Sequence, residues 1–165
     1  MTRNNISPND KLILIVDDDA SIRMTAAGIL ETQNYSTLEA DSAEACLSIC
    51  QEQLPKLILL DAVMPGMDGF SCAVRLKSIL GLQCPPIFMM TTLDDRNSIY
   101  RSFDVGITDY LLKPLNWTDL IAKIEKSSSN KAKNKELRQQ FTEISTLRKQ
   151  LQNVIYQTKG KIKYV

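Results

Sequence analysis

The chain has 165 residues, 44% of them hydrophobic, which is enough for one packed domain and a further segment. Net charge is +1, but residues 1–126 carry 11 Lys and Arg against 17 Asp and Glu, whereas residues 127–165 carry 9 against 2. The apolar runs are too short to cross a bilayer, and residues 1–9 are too polar for a secretory signal. We therefore expect a soluble, cytoplasmic protein that does not act at a membrane.

Five short, mostly apolar runs alternate with stretches of helical periodicity. The uninterrupted runs are typical of strands buried on both faces of a parallel sheet. They lie at residues 12–16, 35–40, 57–60, 87–90 and 110–112. Helices are predicted at residues 22–32, 43–53, 70–80 and 96–105, and from Asn116 onward. This alternation predicts a doubly wound α/β fold with helices on both faces of a parallel sheet.

Three details of the predicted elements can be tested by a structure. Asp19 is the expected N-cap of the first helix, and Asp41, with Glu44 three residues on, has the pattern of a capping box for the second. Cys46 and Cys50 share one helical face. The chain has four cysteines, no Cys-x-x-Cys pair and no histidine, so we expect reduced, buried thiols rather than a zinc site.

Chemically active side chains follow four of the five predicted strands. Asp17 and Asp18 follow the first, Asp61 ends the third, Thr91 ends the fourth and Lys113 follows the fifth. The carboxyl ends of parallel strands meet at one edge of the sheet, where such folds bind ligands. Clustered carboxylates repel one another, and a divalent cation such as Mg²⁺ relieves that repulsion. The pattern therefore indicates a metal site with Asp61 as a nucleophile, and Lys113 and Thr91 beside it to bind a phosphoryl group.

These motifs resemble those of the receiver domain of two-component response regulators over residues 11–126. The match consists of the Asp17-Asp18 pair, Asp61 in LILLDAVMPGMDGF, Thr91 in IFMMTT and Lys113 in DYLLKP. The resemblance implies a flavodoxin-like (βα)5 fold with a five-stranded parallel sheet and a C-terminal helical extension. It divides the chain into a polar tail at residues 1–10, a receiver domain at 11–126 and a helical linker at 127–165.

The same resemblance assigns roles to individual residues. Asp61 would be the phosphoacceptor. The Mg²⁺ ligands would be Asp18 and Asp61 directly, Asp17 through water and Val63 through its backbone carbonyl. Phosphoryl oxygens would be bound by Lys113, by Thr91 and by the backbone N–H groups of Ala62 and Thr92. Gly69 would adopt a backbone conformation closed to other residues, and Lys113-Pro114 would be a cis peptide.

The resemblance also implies a conformational switch. Phosphorylation would draw in Thr91 and let Tyr110 rotate inward, remodelling the surface formed by the predicted helix at 96–105, the fifth strand and the last helix. Tyr110 could instead be an ordinary half-buried strand residue. Val63 and Leu93 are apolar where polar side chains can orient hydrolytic water, which predicts a long-lived phosphoaspartate. Because the chain has no histidine, a histidine kinase or phosphotransfer protein must supply the phosphoryl group in trans.

The C-terminal segment has the spacing of a coiled coil. Leu137, Ile144 and Leu151 recur at intervals of seven, and Leu147 and Val154 occupy the second seam position. This pattern predicts a homodimer through the C-terminal helix, although an amphipathic helix folded onto its own domain would look similar. Residues 127–130 could be a hinge or part of a continuous helix. Because the basic residues alternate with apolar ones, no direct nucleic acid binding is expected.

We therefore interpret the chain as a phosphorylation-controlled switch rather than a metabolic enzyme. It would control dimerisation or a C-terminal output module, and KPLNWTDLIAKI resembles receiver ends that precede PAS, GGDEF or EAL modules. The alternative is a constitutive dimerisation or adaptor module without a working switch. A haloacid-dehalogenase-type phosphatase is disfavoured, because it needs an acid two residues after the nucleophile, where this chain has Val63.

Overall fold

The computed structural model describes residues 9–92 and 105–162. Its strands are β1 (Asn9–Val16), β2 (Ser36–Ala40), β3 (Pro55–Asp61), β4 (Ile87–Thr91) and β5 (Asp109–Leu112). Its helices are α1 (Ala20–Thr32), α2 (Ala43–Glu52), α3 (Gly69–Leu80) and α4 (Trp117–Ile162), with a short 3-10 turn at Gly81–Gln83. The helix predicted at residues 96–105 lies almost entirely outside the described residues.

The five strands form one parallel sheet in the order β2-β1-β3-β4-β5. From β1 the chain goes to β2 on one side and then crosses back to β3 on the other, so the topological switch point lies between β1 and β3. In doubly wound sheets, ligands bind at the carboxyl ends of the strands at that point. The predicted flavodoxin-like fold is confirmed, and it directs attention to the ends of β1 and β3.

Both faces of the sheet are covered, as the uninterrupted apolar runs predicted. Leu14, Val16, Ile58 and Leu60 pack with buried residues of α2 and α3 in one core cluster. The intervening strand residues, which include Ile13, Ile15, Leu57, Leu59 and Phe88, are also buried, and strand alternation directs them to the opposite face. There α1 contributes its buried residues Ala26, Ala27 and Leu30. Because both faces are covered, the carboxyl ends of the strands are where a ligand can approach the sheet.

The cysteines lie where the helical pattern placed them. Cys46 and Cys50 on α2 and Cys72 on α3 are buried in the core cluster, whereas Cys84 is half-buried. All four are free thiols. Hydrogen bonds with Cys50 and Cys72, together with burial, raise the pKa of Cys46, so its thiol stays protonated. These cysteines act as small apolar core residues.

The N-cap predictions have mixed outcomes. Asp19 caps α1 as expected, because its carboxylate accepts hydrogen bonds from the hydroxyl and the N–H of Ser21, which lower the pKa of Asp19. The capping box assigned to Asp41 is wrong. Ser42 is the N-cap of α2, and its Oγ accepts from the N–H of Ala45 at 3.3 Å. Ser42 follows Asp41 directly, and the helix begins one residue later than the Asp41 pattern required.

The turn after β3 depends on two glycines for different reasons. Gly66 has φ of +77°, a conformation that side chains with a Cβ rarely adopt. Gly69, for which the sequence predicted such a conformation, instead begins α3 without positive φ. A Cβ added there would lie 2.1 Å from the backbone O of Asp61. Gly69 is therefore required for a close approach of α3 to the end of β3, and the conformational explanation was wrong.

The chain divides into two compact units between Ala122 and Lys123. Within the first unit, Asn116 caps the start of α4, since its Oδ1 accepts from the N–H of Asp119 at 3.1 Å. Within the second unit the helix continues through the serines considered as a hinge, and Ser128 and Ser129 bond back to helical carbonyls. Of the helices described, not one combines the length and apolar character needed to cross a bilayer.

The close approach at Gly69 generates a stability prediction. Gly69→Ala forces the backbone of β3 and α3 apart, so we expect the free energy of unfolding to fall by about 1–3 kcal/mol. Gly28→Ala is the matched control, because Gly28 lies in α1 with nothing within 4 Å of the added Cβ. That control should gain about 0.5–1 kcal/mol from helix propensity. Urea denaturation of both variants measures the difference, and equal stabilities would contradict the explanation for Gly69.

Candidate functional site

The register of the sheet brings the predicted site residues to one edge. Val16 pairs with Leu60, so the next residues, Asp17 and Asp61, leave adjacent strands side by side. Thr91 pairs with Leu112, which places Lys113 one residue beyond the end of that pairing. These residues come from four different strands or strand ends, and only the parallel register makes them neighbours.

Three carboxylates form the centre of the site. Asp17, Asp18 and Asp61 each offer an oxygen within 4.8 Å of the others. Asp17 and Asp61 are buried, whereas Asp18 is exposed. Hard divalent cations prefer such oxygen donors, and Mg²⁺ usually binds through one or two carboxylates and retained water. The donor set therefore fits a cation of this kind, with an open side at Asp18.

Lys113 compensates the buried negative charge. Its Nζ lies 2.8 Å from Asp17 Oδ2 and 3.2 Å from Asp61 Oδ1, and its side chain is only 18% exposed. One ammonium thus contacts both buried carboxylates. The Lys113-Pro114 peptide that follows is cis, as the family resemblance predicted. Lys113 also forms a backbone bond from its N–H to the carbonyl of Thr91 at 2.8 Å, which ties it to the end of β4.

The burial of these charges shifts their protonation. Burial raises the pKa of Asp61 from 3.8 to about 6, the charge of Lys113 opposes this rise, and that of Asp17 adds to it. For Lys113, burial lowers the pKa, but the hydrogen bond to Asp17 and the charge of Asp61 outweigh burial, so the net shift is upward. At neutral pH, Lys113 is therefore charged and Asp61 is mostly ionised, although its ionisation is costly.

Arg23 is a site residue that the sequence analysis did not assign. Its Nη1 donates to the backbone O of Asp17 at 2.8 Å, and its Nε contacts Glu39 Oε2 at 3.1 Å. The Asp17 carboxylate is held too, because its Oδ1 accepts from the N–H of Asp19 at 2.9 Å. Arg23 therefore anchors the loop after β1 that carries Asp17 and Asp18. The sequence offers one indication of this role, since Arg23 lies one turn into the helix that directly follows the acidic residues.

One assignment differs from the sequence expectation. The N–H of Ala62, expected to face a phosphoryl group, donates to the carbonyl of Met90 at 2.9 Å and continues the bonding between β3 and β4. The N–H of Val63 instead approaches Asp61 Oδ1 at 3.4 Å. Because a backbone N–H within a sheet ladder is already satisfied, the donor directed at the Asp61 carboxylate is that of Val63.

The remaining predicted residues occupy the β4 and β5 side of the site. Thr91 is buried at the end of β4, and its hydroxyl donates to the carbonyl of Thr92 at 3.4 Å. Thr92 is exposed. Tyr110 is half-buried on β5 and packs against the core cluster. Leu93, named for its apolar side chain, lies outside the described residues. The role of Tyr110 as a switch stays a prediction.

Comparison with known proteins identifies the class. Residues 13–125 match the family model described as the response regulator receiver domain. The match covers more than half of the chain and includes the acidic pair, Asp61, Thr91 and Lys113. The chain therefore belongs to the family of response regulator receiver domains of two-component systems.

Individual relatives agree with this membership. Phosphate regulon transcriptional regulatory protein PhoB of Pseudomonas aeruginosa is 36% identical over 115 residues, which are 70% of this chain and 50% of PhoB. Response regulator PleD of Caulobacter vibrioides is 34% identical over 128 residues, which are 77% of this chain and 28% of PleD. The chain thus spans half or less of the length of these relatives.

Solved structures show the same fold. A CheY-like response regulator receiver domain protein from Methanospirillum hungatei JF-1 superposes with a TM-score of 0.70 at 28% identity. The superposition covers 76% of this chain and 99% of the other. Almost the whole of that receiver protein therefore corresponds to part of this chain.

The raised pKa of Asp61 predicts a pH-dependent stability. Because the pKa of Asp61 is higher in the folded protein than in the unfolded chain, protonation of Asp61 stabilises the fold, and this stabilisation is complete below about pH 4. It is lost as the pH rises through about 6. In Mg²⁺-free buffer, Asp61→Asn should therefore raise the free energy of unfolding at about pH 7.5 by about 1–2 kcal/mol, and much less at about pH 4. Asp10→Asn, an exposed control on β1, should change little at either pH. Urea denaturation at the two pH values measures the free energy of unfolding. An equal gain in stability at both pH values would contradict the raised pKa of Asp61.

The anchoring role of Arg23 predicts weaker cation binding without it. Arg23→Gln frees the Asp17 backbone, so the affinity for Mg²⁺ should fall about tenfold, as is usual when groups that orient a ligand are removed. Arg75→Gln, at an exposed position on α3, is the matched control with the same charge change. Isothermal titration calorimetry gives both affinities. If the two variants bind Mg²⁺ equally well, Arg23 does not position the site.

Proposed function

We propose that Asp61 accepts a phosphoryl group from a phosphohistidine of a histidine kinase or phosphotransfer protein. The observation that carries this proposal is the contact of one ammonium, Lys113 Nζ, with both Asp61 and Asp17 at the edge of an acidic cluster. Such a site can neutralise extra negative charge on Asp61. These 165 residues contain no histidine, so the donor histidine lies outside them.

Asp18 and Asp61 are the proposed direct ligands of Mg²⁺, with Asp17 acting through water and the Val63 carbonyl completing the set. The bound cation supplies charge neutralisation for the incoming phosphoryl group. The cluster fits this role because Asp18 is exposed, whereas both oxygens of Asp17 already accept hydrogen bonds from Asp19 and Lys113. Membership of the receiver family supports the same cofactor.

In the proposed transfer, a carboxylate oxygen of Asp61 forms a bond to phosphorus as the bond from phosphorus to the donor imidazole nitrogen breaks. Lys113 then exchanges its contact with Asp61 for one with a phosphoryl oxygen. Thr91 and the N–H of Thr92 bind another oxygen, and the N–H of Val63 supports the group in place of that of Ala62. The domain catalyses only its own phosphorylation and dephosphorylation and turns over no metabolite.

The proposed output is a change of conformation that starts at Thr91 and Tyr110. Thr91 is buried and Tyr110 lies half-buried on the adjacent strand, so a movement of the Thr91 hydroxyl can change the space beside the ring. This movement would control dimerisation through α4 or a C-terminal output module in the cytoplasm. A GGDEF or EAL module is the candidate favoured by KPLNWTDLIAKI, and similarity to PhoB, named as a transcriptional regulator, supports the competing DNA-binding output.

Trp117, the only tryptophan of the chain, provides a test close to the site. It begins α4, four residues after Lys113. We expect its fluorescence to change when Mg²⁺ and beryllofluoride, an acyl phosphate mimic, are added together. Asp61→Asn should abolish that response, and Asp68→Asn, on the turn after β3, should retain it. Light scattering on the same samples reports assembly. A response that survives in Asp61→Asn would overturn the proposal, and no response in any sample would favour an adaptor without a switch.

The apolar side chain of Val63 predicts slow hydrolysis of the acyl phosphate. Val63 is 69% exposed beside Asp61, yet it offers no polar group to orient water. We expect the phosphorylated protein to be long-lived and Val63→Asn to lose its phosphoryl group severalfold faster, while Val63→Leu keeps the slow rate. Loss of radiolabel from purified phosphoprotein measures the rates. Equal rates in the Asn and Leu variants would show that this side chain does not control hydrolysis.

A further inference from the structure

The C-terminal part of α4 exposes large apolar side chains that nothing in the described residues covers. Ile144, Leu147, Leu151 and Val154 are 59–64% exposed, and Ile155 is 48% exposed. Scattered single apolar residues on a surface are common, but these five fall within 12 residues of one helix. Their concentration on one segment indicates a surface that is buried by another molecule or segment.

The spacing of the five residues defines one face of the helix. Ile144 and Leu151 are seven apart, as are Leu147 and Val154, and Ile155 adjoins Val154. At 3.6 residues per turn these positions form a stripe about 100° wide. Ile144 and Leu151 occupy the a positions of a heptad repeat, and Leu147 and Val154 the d positions. We call this set the apolar stripe.

The charges beside the apolar stripe specify how a second helix would lie against it. In this register Glu143 occupies a g position and Arg148 the following e position, five residues later. Both are exposed, and neither has an oppositely charged residue three or four positions away in the sequence, so neither forms the usual pair within its own helix. Five residues is the spacing at which g of one helix meets e of its partner in a parallel, in-register coiled coil.

An antiparallel arrangement gives these charges no partner. There g positions face g positions, and e positions face e positions. The other g residues are Glu136, Gln150 and Gln157, so Glu143 would meet another acid or an amide. The other e residues are apolar in the sequence, namely Phe141, Ile155 and Ile162. Arg148 would therefore meet no acid.

We propose that the apolar stripe is the interface of a parallel, in-register homodimer in which Glu143 of each copy pairs with Arg148 of the other. The inference deepens the proposed dimerisation through α4, on which it rests, and it concerns how the two helices lie in the dimer, whether or not phosphorylation promotes that dimer. The parallel arrangement brings the carboxyl ends of the two α4 helices together. A segment that follows α4 is then presented as a pair, as a dimeric output module requires.

Disulfide crosslinking tests the orientation. In a Cys84→Ser background, which leaves only the buried native thiols, Ile144→Cys and Val154→Cys are made separately. In a parallel, in-register dimer each variant crosslinks to itself under mild oxidation. In an antiparallel dimer neither does, but a mixture of the two forms a mixed disulfide. The background protein alone is the control. Crosslinking only in the mixture, or none in any sample either with or without Mg²⁺ and beryllofluoride, would overturn the proposal.

Charge exchange tests the pairing. Glu143→Arg and Arg148→Glu should each weaken the dimer about tenfold, because two symmetric pairs become like-charged. The double variant should restore the wild-type dissociation constant. Lys149→Glu is the matched control, since it makes the same charge change as Arg148→Glu at an outward f position, and it should have little effect. Sedimentation equilibrium gives the constants, and a double variant as weak as the single ones would contradict the proposed pair.

These outcomes are separable from the proposed function. If the protein is monomeric in every variant while the Trp117 response still depends on Asp61, the dimer inference fails and the phosphoacceptor proposal stands. If the crosslinks form as expected while Asp61→Asn leaves the fluorescence response intact, the dimer inference stands and the phosphoacceptor proposal fails.

Discussion

The site depends on one compensation of charge, in which the Lys113 ammonium contacts two carboxylates that the fold buries. Burying Asp17 and Asp61 side by side is unfavourable, because each is removed from water and repels the other. Lys113 reduces that cost from the end of β5, two strands away from Asp61. A cation at Asp18 and a phosphoryl group on Asp61 would change this balance of charge, and each would change what Lys113 contacts. The site is therefore suited to respond to phosphorylation.

The fold supplies the geometry that this compensation needs. Parallel pairing of β1 with β3 leaves Asp17 and Asp61 at adjacent strand ends, and Gly69 allows α3 to approach the backbone of Asp61 closely. Arg23 fixes the Asp17 carbonyl from α1. Each of these contacts restricts the backbone rather than the reacting groups themselves. The carboxylates themselves are held by Lys113 and by the N–H of Asp19, so the site is in place before any ligand binds.

The sequence predicted the fold and the site centre well because both follow from local patterns. Unbroken apolar runs identified strands buried on both faces, and residues directly after those strands had to share one edge. Predictions failed, or were not made, where a contact between two separate elements decides the outcome. The space that Gly69 leaves for Asp61, the bond from Ala62 to Met90 and the reach of Arg23 to the Asp17 carbonyl all join separate elements. The wrong N-cap prediction for α2 has a different cause, because Asp41 and Ser42 are adjacent in the sequence and both are residue types that cap helices.

Chemical trapping of the phosphorylated residue decides whether Asp61 is the nucleophile of the site, as we propose. The protein would be incubated with Mg²⁺ and a small phosphoryl donor, treated with borohydride, which reduces an aspartyl phosphate to homoserine, and sequenced by mass spectrometry. We expect conversion at Asp61 alone, with Asp17 and Asp18 unchanged. Conversion at another carboxylate, or no conversion in protein that binds Mg²⁺, would contradict it.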